Sequence, residues 1–482
     1  MGSANLKQLA ICAIILLSYL DQCKVNALSR KRIYPHMDKV RHVNVDANEV
    51  GEPLILTPLI EAGKIEEGQR LSLVTNLTNV VSYSGYLTVN PKFNSNMFFW
   101  FFPAVFNPEK APVLVWLQGG PGGSSLYGLF NENGPFVIDK DMNPLLRATS
   151  WSFTHSVIYF DNPVGTGFSF TDDDQGFARN EDQVGQDLYS AITQFLTLFP
   201  EFVERDFYVS GESYAGKYIP AISHKIHLEN QKSPKVKVNL KGMAIGDGFT
   251  DPVNMLNYGE YLHSVGLLDL TQKQHFQAEE DKARNFIKNG SYMEAFQVID
   301  ELIDGDLSGH PSYYKNCTGL DTYFNFMQDK EPVEFGYYAT FVQLAATRKS
   351  IHVGNRNFSD LGSKVEMFLR DDMYRSVSNL VVDLLDAKEN YKVLFYSGQL
   401  DIIVANILTE NFLNNLNWHG SSKWLDAERN VWKVGGNVAG YAKVLDNMSY
   451  VLVRGAGHMV PSDKPKWAFD LINRFTYGKP YA

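Results

Sequence analysis

Apolar runs and amphipathic stretches alternate through the first half of the chain. FFWFFPAVF, PVLVWLQ, SVIYFDNP, DFYVSG and VNLKGMAIGDG read as buried strands, and the stretch around QVGQDLYSAITQFLTLF reads as a helix. Strands interleaved with helices predict an α/β fold whose mostly parallel central sheet carries helices on both faces. Between about residues 253 and 345 the pattern changes to helical, polar, Tyr-rich segments such as QKQHFQAEEDKARNFIK and SYMEAFQVIDELID. That block predicts a helical cap inserted over the carboxyl edge of the sheet, with most of its aromatics in its own core and some walling a pocket. KVLFYSG and YVLVRG resume the sheet, and KPKWAFDLINRFTYG closes the chain as a helix.

The N-terminus is built differently. Lys7 precedes the apolar LAICAIILLSYL and a polar region ending Val25-Asn26-Ala27, the layout of a secretory signal peptide. Its apolar stretch is short for a membrane span, which needs roughly 20 residues, and no later segment qualifies. The expected organisation is a signal peptide over 1–27, an N-terminal segment over 28–75, core over 76–252, cap over 253–345 and core again over 346–482. SRKR at 29–32 fits either removal of a short propeptide or a solvated basic turn, the preferred reading.

With 54 Asp+Glu against 44 Lys+Arg the chain is mildly acidic, which argues against nucleic acid as a partner. Cys12 and Cys23 fall in the leader, so Cys317 is left alone in the mature protein and no intrachain disulfide is available. A simply buried thiol is expected, with pairing between chains as the alternative. Asn-x-Ser/Thr sites at Asn76, Asn289, Asn316, Asn357 and Asn447 suit a secreted or lysosomal glycoprotein, although chance supplies several in a chain this long. His224 and His227 lie one helical turn apart with no third ligand in register, so they read as a helix face and no metal is predicted.

Candidate chemistry centres on Gly211-Glu212-Ser213-Tyr214-Ala215-Gly216, between the strand DFYVS and the helical KYIPAISHKI. A serine on a sharp strand-to-helix turn is a nucleophile elbow, with its hydroxyl lifted off the sheet and helix N–H groups aimed at the reacting oxygen. Gly-x-Ser-x-small alone is a weak signal. It gains weight from Asp401, just beyond the strand YKVLFYS, and from His458, on a glycine-flanked loop after YVLVR. Ser, Asp, His is the α/β-hydrolase order, with each member on a loop after a strand. Upstream, APVLVWLQ runs into GGPGGSS at 119–125. So glycine-rich a loop brings backbone N–H groups close to a ligand, as an oxyanion hole requires; a phosphate loop would need a Lys-Ser/Thr ending that is missing.

At this point the chain resembles the serine carboxypeptidase family. WLQGGPGGSS, NENGP at 131–135, DNPVGTGFS, GESYAGKYIP, AIGDGFTDP, SGQLD and GAGHMVPSDKP occur in the family's order over most of the chain after about residue 80. Gln118 and Gly123 stand where the family usually has an asparagine and a disulfide-bonded cysteine, and these choices look like the vitellogenic carboxypeptidase-like branch. The resemblance implies Ser213, Asp401 and His458 as catalytic triad, and the backbone N–H groups of Gly120 and Tyr214 as oxyanion hole. It also implies that Gln118, Gly119, Glu132 and Glu212 bind the free C-terminal carboxylate of a peptide. Gln for Asn at 118 departs from the pattern, since the longer amide donates the same bond only if the loop backs away.

Two glutamates facing an anionic substrate make sense when they share a proton, because crowded carboxylates raise one another's pKa. Protonated, the pair donates to the substrate's carboxylate, so binding should be strongest in acid. The function expected is a secreted or lysosomal serine carboxypeptidase that releases C-terminal amino acids from peptides or proteins through an acyl-enzyme at Ser213, without a metal or organic cofactor. Acyl transfer on the same triad and a catalytically silent secreted glycoprotein are the alternatives. Family members are often dimers, but no motif here fixes an interface.

Overall fold

Neighbouring residues of an extended strand point to opposite sides, and here both sides are apolar. Val113, Val115 and Leu117 enter one hydrophobic layer, while Leu114 and Trp116 enter the other. The same alternation runs through Phe99 and Phe101 against Phe98 and Trp100, and through Val393 and Phe395 against Leu394 and Tyr396. The computed structural model describes residues 49–305 and 310–481; the expected signal peptide and the SRKR cluster lie outside them.

Twelve strands are described, in chain order β1 Tyr83–Asn90, β2 Ser95–Phe102, β3 Val113–Leu117, β4 Phe136–Ile138, β5 Pro144–Leu146, β6 Ser156–Phe160, β7 Phe207–Glu212, β8 Leu240–Gly246, β9 Lys392–Gly398, β10 Arg429–Val434, β11 Asn437–Leu445 and β12 Met448–Val453. β4 and β5 pair with each other, and the other ten form one sheet in the order β1-β2-β6-β3-β7-β8-β9-β12-β11-β10. The six central strands, β6 to β12 in that order, are parallel, and each edge is finished by two antiparallel strands. Helices Glu181–Leu198 and Ala215–Asn230 cover one face through Val184, Leu188, Ile219 and Ile222, and helix Pro465–Tyr477 covers the other through Ala468, Leu471 and Phe475. This is the expected α/β-hydrolase fold.

The polar, Tyr-rich block after β8 is helical. Tyr258–Ser264, Leu270–Lys288, Tyr292–Ile299 and Tyr313–Thr318 follow one another, and Asp269 with Gln272 closes the second of these with a reciprocal capping box. Phe276, Ala283, Ala295 and Ile299 continue the first hydrophobic layer. Tyr258 and Tyr261 donate their hydroxyls to the carbonyls of Ile403 and Gln399, each at 2.9 Å. This helical block is thereby tied to the loop after β9, where Asp401 lies. Helical structure continues past residue 345, through Ser363–Met373 and Ser378–Leu385, before β9 begins.

Candidate active site

A parallel sheet gathers the loops at its carboxyl edge, and here the loops after β3, β7, β8, β9 and β12 carry Gly119, Ser213, Asp247, Asp401 and His458. Ser213 has φ +62°, in the left-handed region, between β7 and helix Ala215–Asn230. Such a conformation costs roughly 1–2 kcal/mol in a residue with a Cβ, so its neighbours must hold it. They do so through the backbone: Ser213 N–H donates to Gly246 O at 3.0 Å, and Ser213 O accepts from Gly216 and Phe249 at 2.9 and 3.0 Å. Pro220, inside the helix, has no N–H for the carbonyl of Gly216, and the Thr250 hydroxyl donates to that carbonyl instead at 2.9 Å.

His458 Nδ1 lies 2.8 Å from Asp401 Oδ2, with both side chains buried. The His458 N–H donates to Phe324 O at 2.6 Å, and the Phe324 ring stacks on the imidazole at 5.1 Å between centroids and 20° between planes. The ring is therefore held on one edge and one face. Its other nitrogen, Nε2, is buried with no hydrogen-bond partner among the described residues. Ser213 and His458 line the same cavity, of about 480 Å³. The structure thus bonds the histidine to the buried aspartate, and histidine and serine share one cavity.

Gly119 and Gly120 close the cavity against the elbow. A Cβ on Gly119 would stand 2.5 Å from Ser213 Cβ and 2.6 Å from Tyr214 N, closer than real Cβ contacts come. Gly120 has φ +110° and packs on the backbone of Gly122 and Gly123. Among the described residues, neither Gly120 nor Tyr214 donates its N–H to a backbone carbonyl.

Gln118, Gly119 and Glu212 line the cavity, and Glu132 is buried next to Glu212 without reaching the wall. The Trp116 indole N–H donates to Gln118 Oε1 at 2.9 Å, which turns Nε2 toward Glu212 Oε1 at 2.7 Å. Glu132 has no well-formed hydrogen bond at either oxygen among the described residues, and Glu212 and Gln118 are the polar side chains that act on it. Burial pushes Glu132 up to about 7, and burial together with the Glu132 charge holds Glu212 well above the ordinary carboxylate range. The pair keeps a proton where isolated glutamates would have lost both.

The motif AIGDGFTDP contains a residue to which the sequence assigned no role. Asp247, wholly buried with φ +42°, accepts from Gly398 N–H through Oδ1 at 2.7 Å and leaves Oδ2 without a donor. Its carboxylate, that of Asp401 and an imidazole nitrogen of His458 all lie within 4.8 Å of one another. The only available signal was positional, since Asp247 follows β8 as Asp401 follows β9.

Away from the cavity, Asn76, Asn289, Asn316 and Asn357 are exposed. Asn447 is not: its amide is buried and donates to Leu385 O and Tyr391 O, so the folded chain has no room for a glycan there. Cys317 is free and half-buried against the first hydrophobic layer, more accessible than expected. His224 lies 3.2 Å from Asp383 and His227 3.1 Å from the Tyr391 hydroxyl, ordinary helix-face pairings.

Comparison with known proteins places the chain in a family. The serine carboxypeptidase family model matches residues 73–478. The chain is 52% identical to the venom serine carboxypeptidase of Apis mellifera, covering 90% of this chain and 92% of that one. It is 51% identical to the human probable serine carboxypeptidase CPVL, over 89% and 90% of the two chains, and 48% identical to the Aedes aegypti vitellogenic carboxypeptidase, over 89% and 91%. Among solved structures, the prohormone-processing carboxypeptidase Kex1 of Saccharomyces cerevisiae shares the fold, with a TM-score of 0.72 over 83% of this chain and 92% of that one at 23% identity. The chain belongs to the serine carboxypeptidase family.

Proposed function

We propose that this enzyme removes single amino acids from the free C-terminus of peptides, most efficiently in acid, with Ser213, Asp401 and His458 as its triad. The observation that carries this reading is the sharing of one cavity by Ser213, His458 and the carboxyl of Glu212, itself paired with Glu132. In the reaction Ser213 Oγ attacks the last peptide carbonyl while His458 Nε2 takes its proton, and Asp401 stabilises the imidazolium. Gly120 and Tyr214 N–H groups stabilise the oxyanion. His458 then returns the proton to the leaving amine, and water activated by the same ring hydrolyses the acyl-enzyme. The carboxylate of the departing residue accepts from the protonated Glu132–Glu212 pair, with Gln118 and Gly119 beside it.

The leader and the exposed acceptors Asn76, Asn289, Asn316 and Asn357 support routing through the secretory pathway to lysosomes or the exterior, and residues 253–345 act as the cap. Among the described residues no helix is long and apolar enough to cross a membrane. Mass spectrometry of a blocked peptide with a free C-terminus, at about pH 5 and about pH 7.5, tests the activity. Wild type should shorten the peptide residue by residue, faster in acid, and Ser213→Ala should not; an intact peptide with folded wild type would refute it.

A further inference from the structure

Two carboxylates in contact, wholly buried under an imidazole, cannot both carry a charge without strong opposition to one of them. Asp401 is the one bonded to His458 Nδ1. Asp247 is the one with a single donor, Gly398 N–H, and an orphaned Oδ2. Its backbone is fixed as well, Asp247 N–H donating to Tyr396 O at 2.7 Å. We propose that Asp247 is a positioning residue that keeps a proton on its free oxygen and hydrogen-bonds through it to Asp401, orienting the anionic carboxylate that holds His458.

The surroundings favour that protonation state. The titratable groups that act on Asp247 are Asp401, His458, Glu132 and Glu212, with the phenols of Tyr261, Tyr396 and Tyr450. All but the histidine are acids. Burial, and then the charge of Asp401, raise Asp247 well above the usual carboxylate range. The pair beside the imidazole therefore carries one negative charge rather than two.

The inference rests on the triad assigned above. Its test is the rate at which a fluorophosphonate probe modifies Ser213 across pH in the wild-type protein, Asp247→Asn and Asp247→Ala. The probe has no C-terminal carboxylate, so the glutamate pair does not enter. An asparagine amide can still accept from Gly398 and donate to Asp401, so Asp247→Asn should react within about threefold of wild type, whereas Asp247→Ala should be at least about tenfold slower. The midpoint of the acid limb of the labelling rate should not move in Asp247→Asn, because one neutral group replaces another. A fall of that midpoint by about one unit or more would mean that Asp247 had been charged, and would overturn the proposal. So would Asp247→Asn reacting as slowly as Asp247→Ala. The midpoint comparison needs only wild type and the near-isosteric variant, so it stands even if the alanine variant misfolds. Absence of labelling at Ser213 in the wild-type protein would overturn the triad assignment and this inference together, whereas labelled wild type with a shifted midpoint would sink the inference alone.

Discussion

Gln118 serves two neighbours with one amide. Trp116 donates to its oxygen and so decides which way its nitrogen points, namely at Glu212. The longer side chain fits at this position because the indole anchors it. Gln118→Ala should raise KM for free-acid peptides about tenfold with kcat little changed, because the role proposed for this amide is substrate recognition. Trp116→Phe, which removes the indole N–H, should shift KM in the same direction by less. The pH dependence has a definite sign. Below about 7 Glu132 keeps its proton, and in the proposed function the pair then donates to the substrate; above it the pair gains charge and should repel the incoming carboxylate. KM for a free-acid peptide should therefore climb from pH 6 to about pH 8, while that of the matching C-terminal amide stays nearly level. Parallel profiles for the two substrates would contradict this account.

Strand, turn and helix form a unit around Ser213, and the loop carrying Gly119 packs against it with no room for a side chain. Gly119→Ala would drive a methyl group into Ser213 and Tyr214, so kcat/KM should fall at least about a hundredfold. Gly435→Ala makes the control. Gly435 has φ +58° with open space around it, so the change should cost only about 1 kcal/mol of stability and leave turnover intact. Thermal melts and steady-state kinetics on both variants separate strain in a turn from collision in a site. The same contrast explains what the sequence made legible. DFYVSG, KVLFYSG and YVLVRG are buried on both faces, so their uninterrupted apolar runs revealed the strands and the loops after them. The hairpin β10–β11 escaped notice, although its Gly435-Gly436 turn, with both residues at positive φ, is a clear hairpin signal. It lies at the sheet edge, half exposed, where RNVWKV need not be uniformly apolar. Asp247 escaped for another reason: its partner is set by the register of β8 on β9, and no local pattern encodes a contact between distant loops.

Buried acids are spread through the molecule and should favour the folded state at low pH. Burial raises Glu132, Asp161 and Glu280 to about 7, Glu181 to about 8 and Asp187 to about 6. A carboxyl raised on folding contributes stability that is complete below its unfolded pKa and is lost as pH rises through the folded value. His155, lowered to about 4 by burial, works in the opposite sense below its unfolded value, as do His224 and His352, but the acids outnumber them. Tm should be higher at pH 5 than at pH 7.5, by about 5 °C or more; calorimetry showing the reverse order would mean these carboxyls ionise freely in the folded chain.

Glu212 lines the cavity with Glu132 buried next to it, and in the proposed function this pair receives the free end of the peptide chain. To such an enzyme the amount of substrate is a number of chain ends. At a fixed molar concentration a long peptide and a short one with the same last residues should be consumed equally fast, although the long one holds many more peptide bonds. Joining head to tail reduces the effective concentration to zero without changing one side chain.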